Sequence, residues 1–418
     1  MFENDRSDDR NQIAGNGIHA EHEPIDTGKA DGVYFKMDEA EYHALPRLSA
    51  SGIKNVLTSI PTFWAKSWMN KDDAEEDDAE EDDSTQAQIL GRAYHVAIFE
   101  PDELDSRYAG EPDLTGIKNL LTSDTAVCAE LKALGQTQKK SGESSAMRAL
   151  RLMEIEPSFE VKSVIMGEWR ERLGDRQAIG ARYWAQLLDD CKRIKENPEI
   201  DELVTGGASE VTILWTCPES GIPMKARIDK LKADKFVDLK SFANANGKPV
   251  GQVIMEAVQY YKYYLSMRVY QTAIAMIREQ NLSIRDMPSD DNLQDNDSFP
   301  PQWQVDLRMA LHDRTTPLQP WLFFQEKGGV PNLLARKLKL QVYPEGVDVQ
   351  AIGAEDHDIS EHNSALCRKA DIEIAHAKQQ YLMALEIYGE DQPWYPLDMI
   401  GEMGDADFRD WFLDSMPA

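Results

Sequence analysis

The sequence predicts an α/β fold, a mixed central sheet flanked by helices, and three observations carry that expectation. Between Glu210 and Ser241 the apolar residues alternate with polar ones and turn residues break the run twice, which reads as three consecutive strands. On either side lie segments with apolar residues at helical spacing, Ala87–Glu100, Arg182–Lys195 and Val253–Glu279. A further β-rich run, Pro320–Lys327, follows them. A sheet whose neighbours in sequence are amphipathic helices buries both faces under those helices.

Each element follows from its local chemistry. Residues 1–32 are polar, rich in Gly, Asp and Asn and without periodicity, and predict a disordered tail. Order is expected from Val33-Tyr-Phe onward, through Tyr42-His43. Leu48-Ser-Ala-Ser-Gly-Ile-Lys-Asn-Val-Leu predicts a helix capped by Ser49 or Ser51, and a second helix follows with Pro61 in its first turn. Residues 72–83 hold ten acids in twelve positions, and charge this dense predicts a solvated loop. The segment Ala87–Glu100 is helical and stops before Pro101, and residues 110–160 show no clear period. Glu210–Trp215, Met224–Leu231 and Phe236–Ser241 are the three strands, joined by turns at Gly221-Ile-Pro and Ala233-Asp-Lys. One long, tyrosine-rich helix is expected over Val253–Glu279, then an inserted loop over 280–317 containing Pro288, Pro300 and Pro301. Pro320–Lys327 and Leu338–Tyr343 read as strands, Ala370–Ile387 as a helix, and Phe408–Asp414 as a short amphipathic piece.

Composition limits the function classes. The 418 residues, 42% of them hydrophobic, suffice for a large core. No apolar run approaches the roughly 18 residues of a membrane helix, and the polar N-terminus is no signal peptide. Cys128, Cys191, Cys217 and Cys367 are dispersed, which predicts reduced thiols in a cytoplasmic protein. The net charge of −29 argues against nonspecific binding to nucleic acid, although the acidic run supplies ten of those charges. No GxxxxGK phosphate loop is present, so no ATP-driven motor is expected.

The chemistry concentrates in Lys225-Ala-Arg-Ile-Asp229 and Val237-Asp238-Leu-Lys240. Asp238 and Lys240 are two apart on a strand and so share a face. Two carboxylates can hold a divalent cation, while an ammonium beside them orients water and stabilises charge on an attacked phosphate. The same residues also fit plain charges on an edge strand. His95, on an otherwise apolar helix, fits either a core histidine or a neutral imidazole ligand. The tyrosine-rich helix fits either a buried aromatic helix or a DNA-facing one. The acidic run reads as solvated, or as a phosphate mimic covering the cleft.

Taken together, Gly91-Arg-Ala-Tyr-His95, Glu210, Lys225-Ala-Arg-Ile-Asp229, Val237-Asp-Leu-Lys240 and Gln259-Tyr-Tyr-Lys-Tyr263 resemble the PD-(D/E)XK nucleases. The resemblance is closest to the branch holding RecE (exodeoxyribonuclease VIII), the RecB nuclease domain and related phage enzymes. Tyr42-His43 and Leu48-Ser-Ala-Ser-Gly-Ile-Lys resemble the opening of RecE-type domains. It covers residues 33–345 and leaves 346–418 as a helical C-terminal extension. It implies a restriction-endonuclease-like core with a helical N-terminal portion and insertions. It implies His95, Asp229 and Asp238 as ligands of Mg²⁺ or Mn²⁺, Lys240 as catalytic lysine, Glu210 as supporting acid, and Gln259 and Tyr263 facing DNA. The implied activity is a Mg²⁺-dependent exodeoxyribonuclease processing double-stranded ends for phage recombination. Its implied partners are DNA, a RecT-like single-strand annealing protein, and further copies of itself. An internally cutting nuclease of the same superfamily, in repair or defence, is the alternative enzyme. A DNA-binding scaffold on a degenerate nuclease fold is the alternative that is no enzyme.

Overall fold

The computed structural model describes residues 28–35, 37–70, 86–287, 301–312, 318–327, 332–340 and 365–397. The acidic run 72–83, most of the N-terminal tail and the piece 408–414 lie outside the described residues. The chain opens with strand β1 (Gly32–Tyr34) and helices α1 (Glu39–Ala44), α2 (Ala50–Thr58) and α3 (Ile60–Ala65). The Ser49 hydroxyl accepts from Gly52 N at the start of α2, and Ser59 does the same for Thr62 N at α3, so each helix begins at a serine cap. Helix α4 (Gln86–Phe99) then ends at Glu100 before Pro101.

Residues 110–160, silent in the sequence, fold as a small satellite. Its core of Val127, Leu131, Ala149, Leu152 and Val161 is separate from the main one. Four short strands, β2 (Tyr108–Gly110), β3 (Leu120–Leu121), β4 (Glu160–Val161) and β5 (Gln177–Ile179), pair as β2 with β5 and β3 with β4 outside the main sheet. The chain returns through a helix over Ala181–Glu196 and a short one over Pro198–Val204. Strands β6 (Ala208–Thr216), β7 (Pro223–Leu231) and β8 (Lys235–Phe242) form the expected antiparallel meander. Among the described residues the main sheet has seven strands, in the order Leu333–Lys337, Gln319–Glu326, β8, β7, β6, β1, Ile284–Arg285. Gln319–Glu326 runs parallel to β8 and Ile284–Arg285 parallel to β1, so the sheet is mixed as predicted.

Helices cover both faces. Ile53, Phe63, Leu265, Ile274, Ala377 and Tyr381 share one core with Ala226, Ile228 and Phe236. Ala93, Tyr94, Leu187 and Ile194 pack with Val237, Leu239 and Phe323 on the other. Residues 236 and 237 thus go to opposite layers, as strand alternation requires.

Three expectations are corrected. The long helix is two, Val250–Tyr260 and Tyr263–Glu279, because Lys262 sits in a left-handed conformation at φ 49°. The region 280–317 is not wholly loop, since Ile284–Arg285 joins the sheet edge and Gln302–His312 forms a helix that buries Leu307 and Leu311. Of the strand expected at Leu338–Tyr343, residues 341–343 lie outside the described residues and 338–340 are not strand; the strand that the structure describes here is Leu333–Lys337. There the pairing with Gln319–Glu326 satisfies its backbone.

Candidate active site

The site forms where the β7–β8 ladder stops. Leu231 pairs with Phe236 and Lys230 with Val237, and no further pair follows. Asp229 and Asp238 are the next residues on the two diverging strands. The Asp229 carboxylate enters the gap and its Oδ2 accepts from Leu239 N at 2.8 Å, replacing the lost ladder bond.

Glu210 explains why Asp229 points where it does. Leu231 and Ile228 are three apart, yet both belong to the core that holds Ala226 and Phe236. An odd spacing on one face means that the alternation is broken between them. Across the ladder, Ser209 pairs with Lys230 and Val211 with Ile228, leaving Glu210 and Asp229 facing each other without a pair. Glu210 is the strand residue with left-handed backbone, φ 52°. The irregularity turns both carboxylates toward α4, where His95 is. One ligand atom each from His95, Glu210 and Asp229 lies within 4.8 Å of the others, and His95 Nδ1 is 3.5 Å from Asp229 Oδ2.

The electrostatics follow from that crowding. Burial and the neighbouring Asp229 push Glu210 up to about 7, even though Arg227 Nε donates to it at 2.6 Å. Burial and Asp238 push Asp229 to about 7 as well. His95 is held below its ordinary value by burial and by the Lys240 ammonium, so the imidazole is neutral and able to ligate. Lys240 behaves differently. Burial disfavours its ammonium, but Asp238 and Asp229 outweigh that and raise its pKa above the usual lysine value. Its Nζ is 2.6 Å from Asp238 Oδ2 and 5.4 Å from the centre of the Tyr263 ring. Asp238 is fully buried and its Oδ1 accepts no hydrogen bond.

That orphaned oxygen, the Glu210–Asp229 repulsion that Arg227 offsets only in part, and a donor set of imidazole nitrogen with carboxylate oxygens all fit a divalent cation such as Mg²⁺ or Mn²⁺. A cavity of about 1090 Å³ opens onto His95, Glu210 and Asp229, with Glu39, His43, Arg92, Arg227 and Tyr270 among its walls.

Of the residues singled out in the sequence, the structure gathers His95, Glu210 and Asp229 into one cluster and sets Asp238, Lys240 and Tyr263 beside it. Gln259 is exposed near the end of its helix, and the break at Tyr261–Lys262 takes it out of the i,i+4 relation with Tyr263. Sequence reasoning missed three contributors. Arg227 holds Glu210, and its place two residues before Asp229 on a strand is a usable signal. Lys225 is buried and donates to the carbonyls of Tyr42, His43 and Leu45, tying the end of α1 to the sheet. Lys54 stands 5.6 Å from the Tyr263 ring centre; it closes the motif Leu48-Ser-Ala-Ser-Gly-Ile-Lys, but nothing in that motif assigns it a role at the site.

A family described as a PDDEXK-like domain of unknown function (DUF3799) matches residues 49–285, which hold His95, Glu210, Asp229, Asp238 and Lys240. The crystal structure of a protein named "putative exonuclease", from Eubacterium rectale, aligns over 89% of this chain and 92% of its own. Its identity is 12% and its TM-score 0.38. No curated protein sequence matches the chain. Among the described residues no helix is long and apolar enough to cross a membrane.

Proposed function

The chain belongs to this PDDEXK-like family, and from that premise we propose that it is a divalent-metal-dependent deoxyribonuclease, an exonuclease acting on double-stranded ends. The observation that carries the reading is the convergence of His95, Glu210 and Asp229 beside a buried Asp238–Lys240 pair. His95, Glu210, Asp229 and Asp238 would hold the cation, Mg²⁺ or Mn²⁺. When bound, such a cation neutralises phosphate charge and makes its coordinated water more acidic. The residues do the rest. Arg227 and the Leu239 amide fix the Glu210 and Asp229 carboxylates before substrate arrives, so little reorganisation is left for the reaction. Lys240 is held charged by Asp238, so its role is to orient water and offset the negative charge gathering on the phosphate. Tyr263 walls that side of the lysine and faces the DNA.

The end-processing mode rests on the RecE-like order of motifs, and with it a recombination role, a RecT-like annealing partner and assembly with further copies. Incubation of linear and closed-circular duplex with Mg²⁺ tests the reading. Loss of the linear form alone is expected. Nicking or linearisation of the circle would make it an endonuclease instead. Degradation that survives both Asp238→Ala and Lys240→Ala would remove the site assignment.

A further inference from the structure

Next to Lys240 the molecule leaves two large aromatic rings in water. Tyr260 is 80% exposed and Tyr261 55%, at the junction between the helices Val250–Tyr260 and Tyr263–Glu279. Their rings meet edge to face at 4.9 Å. Tyr261 in turn stacks on Tyr263, with centres 5.6 Å apart and planes 20° from parallel. Tyr263 ends the series against Lys240 and Lys54. A continuous run of three rings therefore leads from solvent to the Asp238–Lys240 pair.

The junction that displays the rings is braced. Lys262 adopts the left-handed conformation there. Its ammonium lies 3.1 Å from Glu373 Oε1, while the Tyr264 hydroxyl donates to Glu373 Oε2 at 2.8 Å. Glu373 belongs to the helix Ala365–Tyr388, which packs against α2 and the helix Tyr263–Glu279. Two elements thus hold a non-glycine residue in a sparsely populated conformation, and the result is to present Tyr260 and Tyr261.

Lys54 supplies the charge. Its half-buried ammonium has no ion pair or hydrogen bond among the described residues; Lys240 and Lys262 add to the cost of its burial, and Asp238, already paired with Lys240, offsets part of it. Lys240, on the same tyrosine ring, is committed to Asp238. A cation left open beside a stack of exposed rings matches a nucleic-acid strand whose bases are unpaired. The rings accept bases by their faces, and the lysine accepts a backbone phosphate. Stacking also suits a chain of net charge −29, because it does not depend on a broadly basic surface.

We propose that Tyr260, Tyr261 and Lys54 form a single-strand track that receives the unpaired strand at the active site, with bases on the tyrosines and a phosphate on Lys54. This rests on the nuclease reading and specifies the form of DNA that the site takes. The test uses the full chain carrying Lys240→Ala to stop cleavage, with fluorescein-labelled oligothymidylate and a blunt duplex as probes. Tyr260→Ala with Tyr261→Ala is expected to weaken oligothymidylate binding about tenfold or more, with much less effect on the duplex. Phenylalanine at both positions should restore it, since stacking needs the ring and not the hydroxyl. Lys54→Met should reduce the slope of log affinity against log salt by about 0.7, the value for one single-strand phosphate. Equal losses on both probes, or oligothymidylate binding unchanged in the double alanine variant, would overturn the track. The nuclease reading stands apart from that result, because it fails if the unmodified chain with Mg²⁺ degrades no DNA.

Discussion

The two sides of the β7–β8 gap handle charge in opposite ways. On the side facing α4, Glu210 and Asp229 face each other and burial pushes both to about 7, with Asp229 adding to the shift of Glu210 and Asp238 to that of Asp229; Arg227 bonds Glu210 and offsets part of both shifts. On the other side Asp238 is as deeply buried but has its counter-charge built in, Lys240 at 2.6 Å. A crowded carboxylate pair attracts a cation from outside, whereas a carboxylate with its own ammonium is pre-set for the substrate's charge. The difference separates the group that loads the site from the group that acts in it.

The largest effect expected from breaking this contrast lies on the paired side. Lys240→Ala should lower the rate of DNA degradation about 100- to 1000-fold while leaving the Mn²⁺-induced rise in Tm in place, measured by timed digestion and thermal shift. A Tm rise lost along with the activity would merge the two sides. Asp229→Asn should do the converse to the metal response, abolishing the Mn²⁺-induced shift, yet leave the metal-free protein equally stable or slightly more so because a repulsion is gone.

Away from the gap, Lys225→Met should destabilise the fold by about 2–4 kcal/mol in denaturant unfolding, because three carbonyls at the end of α1 lose a buried donor. A pH effect follows from the unpaired side. Glu210 and Asp229 bind protons more tightly when folded than when unfolded, so their combined cost is absent below about pH 4, grows as pH rises, and is complete above about pH 7. The metal-free chain should therefore lose Tm across that window relative to a Glu210→Gln variant, and the Mn²⁺-induced stabilisation should be larger at pH 8 than at pH 5. The smallest effect is expected from Arg227→Met. It should push Glu210 further up and move the pH midpoint of that stabilisation upward by less than about one unit.

Much of the fold was legible because it rests on local signals. The serine caps of α2 and α3, the stop before Pro101 and the alternation through β6, β7 and β8 are written in neighbouring residues. The break at Lys262 was not, since nothing in Tyr260-Tyr-Lys-Tyr263 forbids a continuous helix, and it depends on Glu373 more than a hundred residues away. The satellite core of residues 120–164 was equally silent, its apolar residues being too few for a clear period. Within the site, Asp238 and Lys240 were readable as an i,i+2 pair. Glu210 was readable as a nearby acid, while its place beside His95 and Asp229 depends on a left-handed residue that no spacing rule announces.

What the sequence by itself determined is the chemical inventory and its order: an imidazole on a helix, acids on successive strands, a lysine two residues past the last of them. Those follow from strand and helix periodicity, which are properties of the chain over a few residues. What only the tertiary structure decided is which acids meet. The end of the β7–β8 ladder and the irregularity at Glu210 turn Asp229 toward His95 and leave Asp238 to Lys240. That partition is set by packing of α4 against the sheet and by where backbone pairing runs out, and both are contacts between residues far apart in the chain.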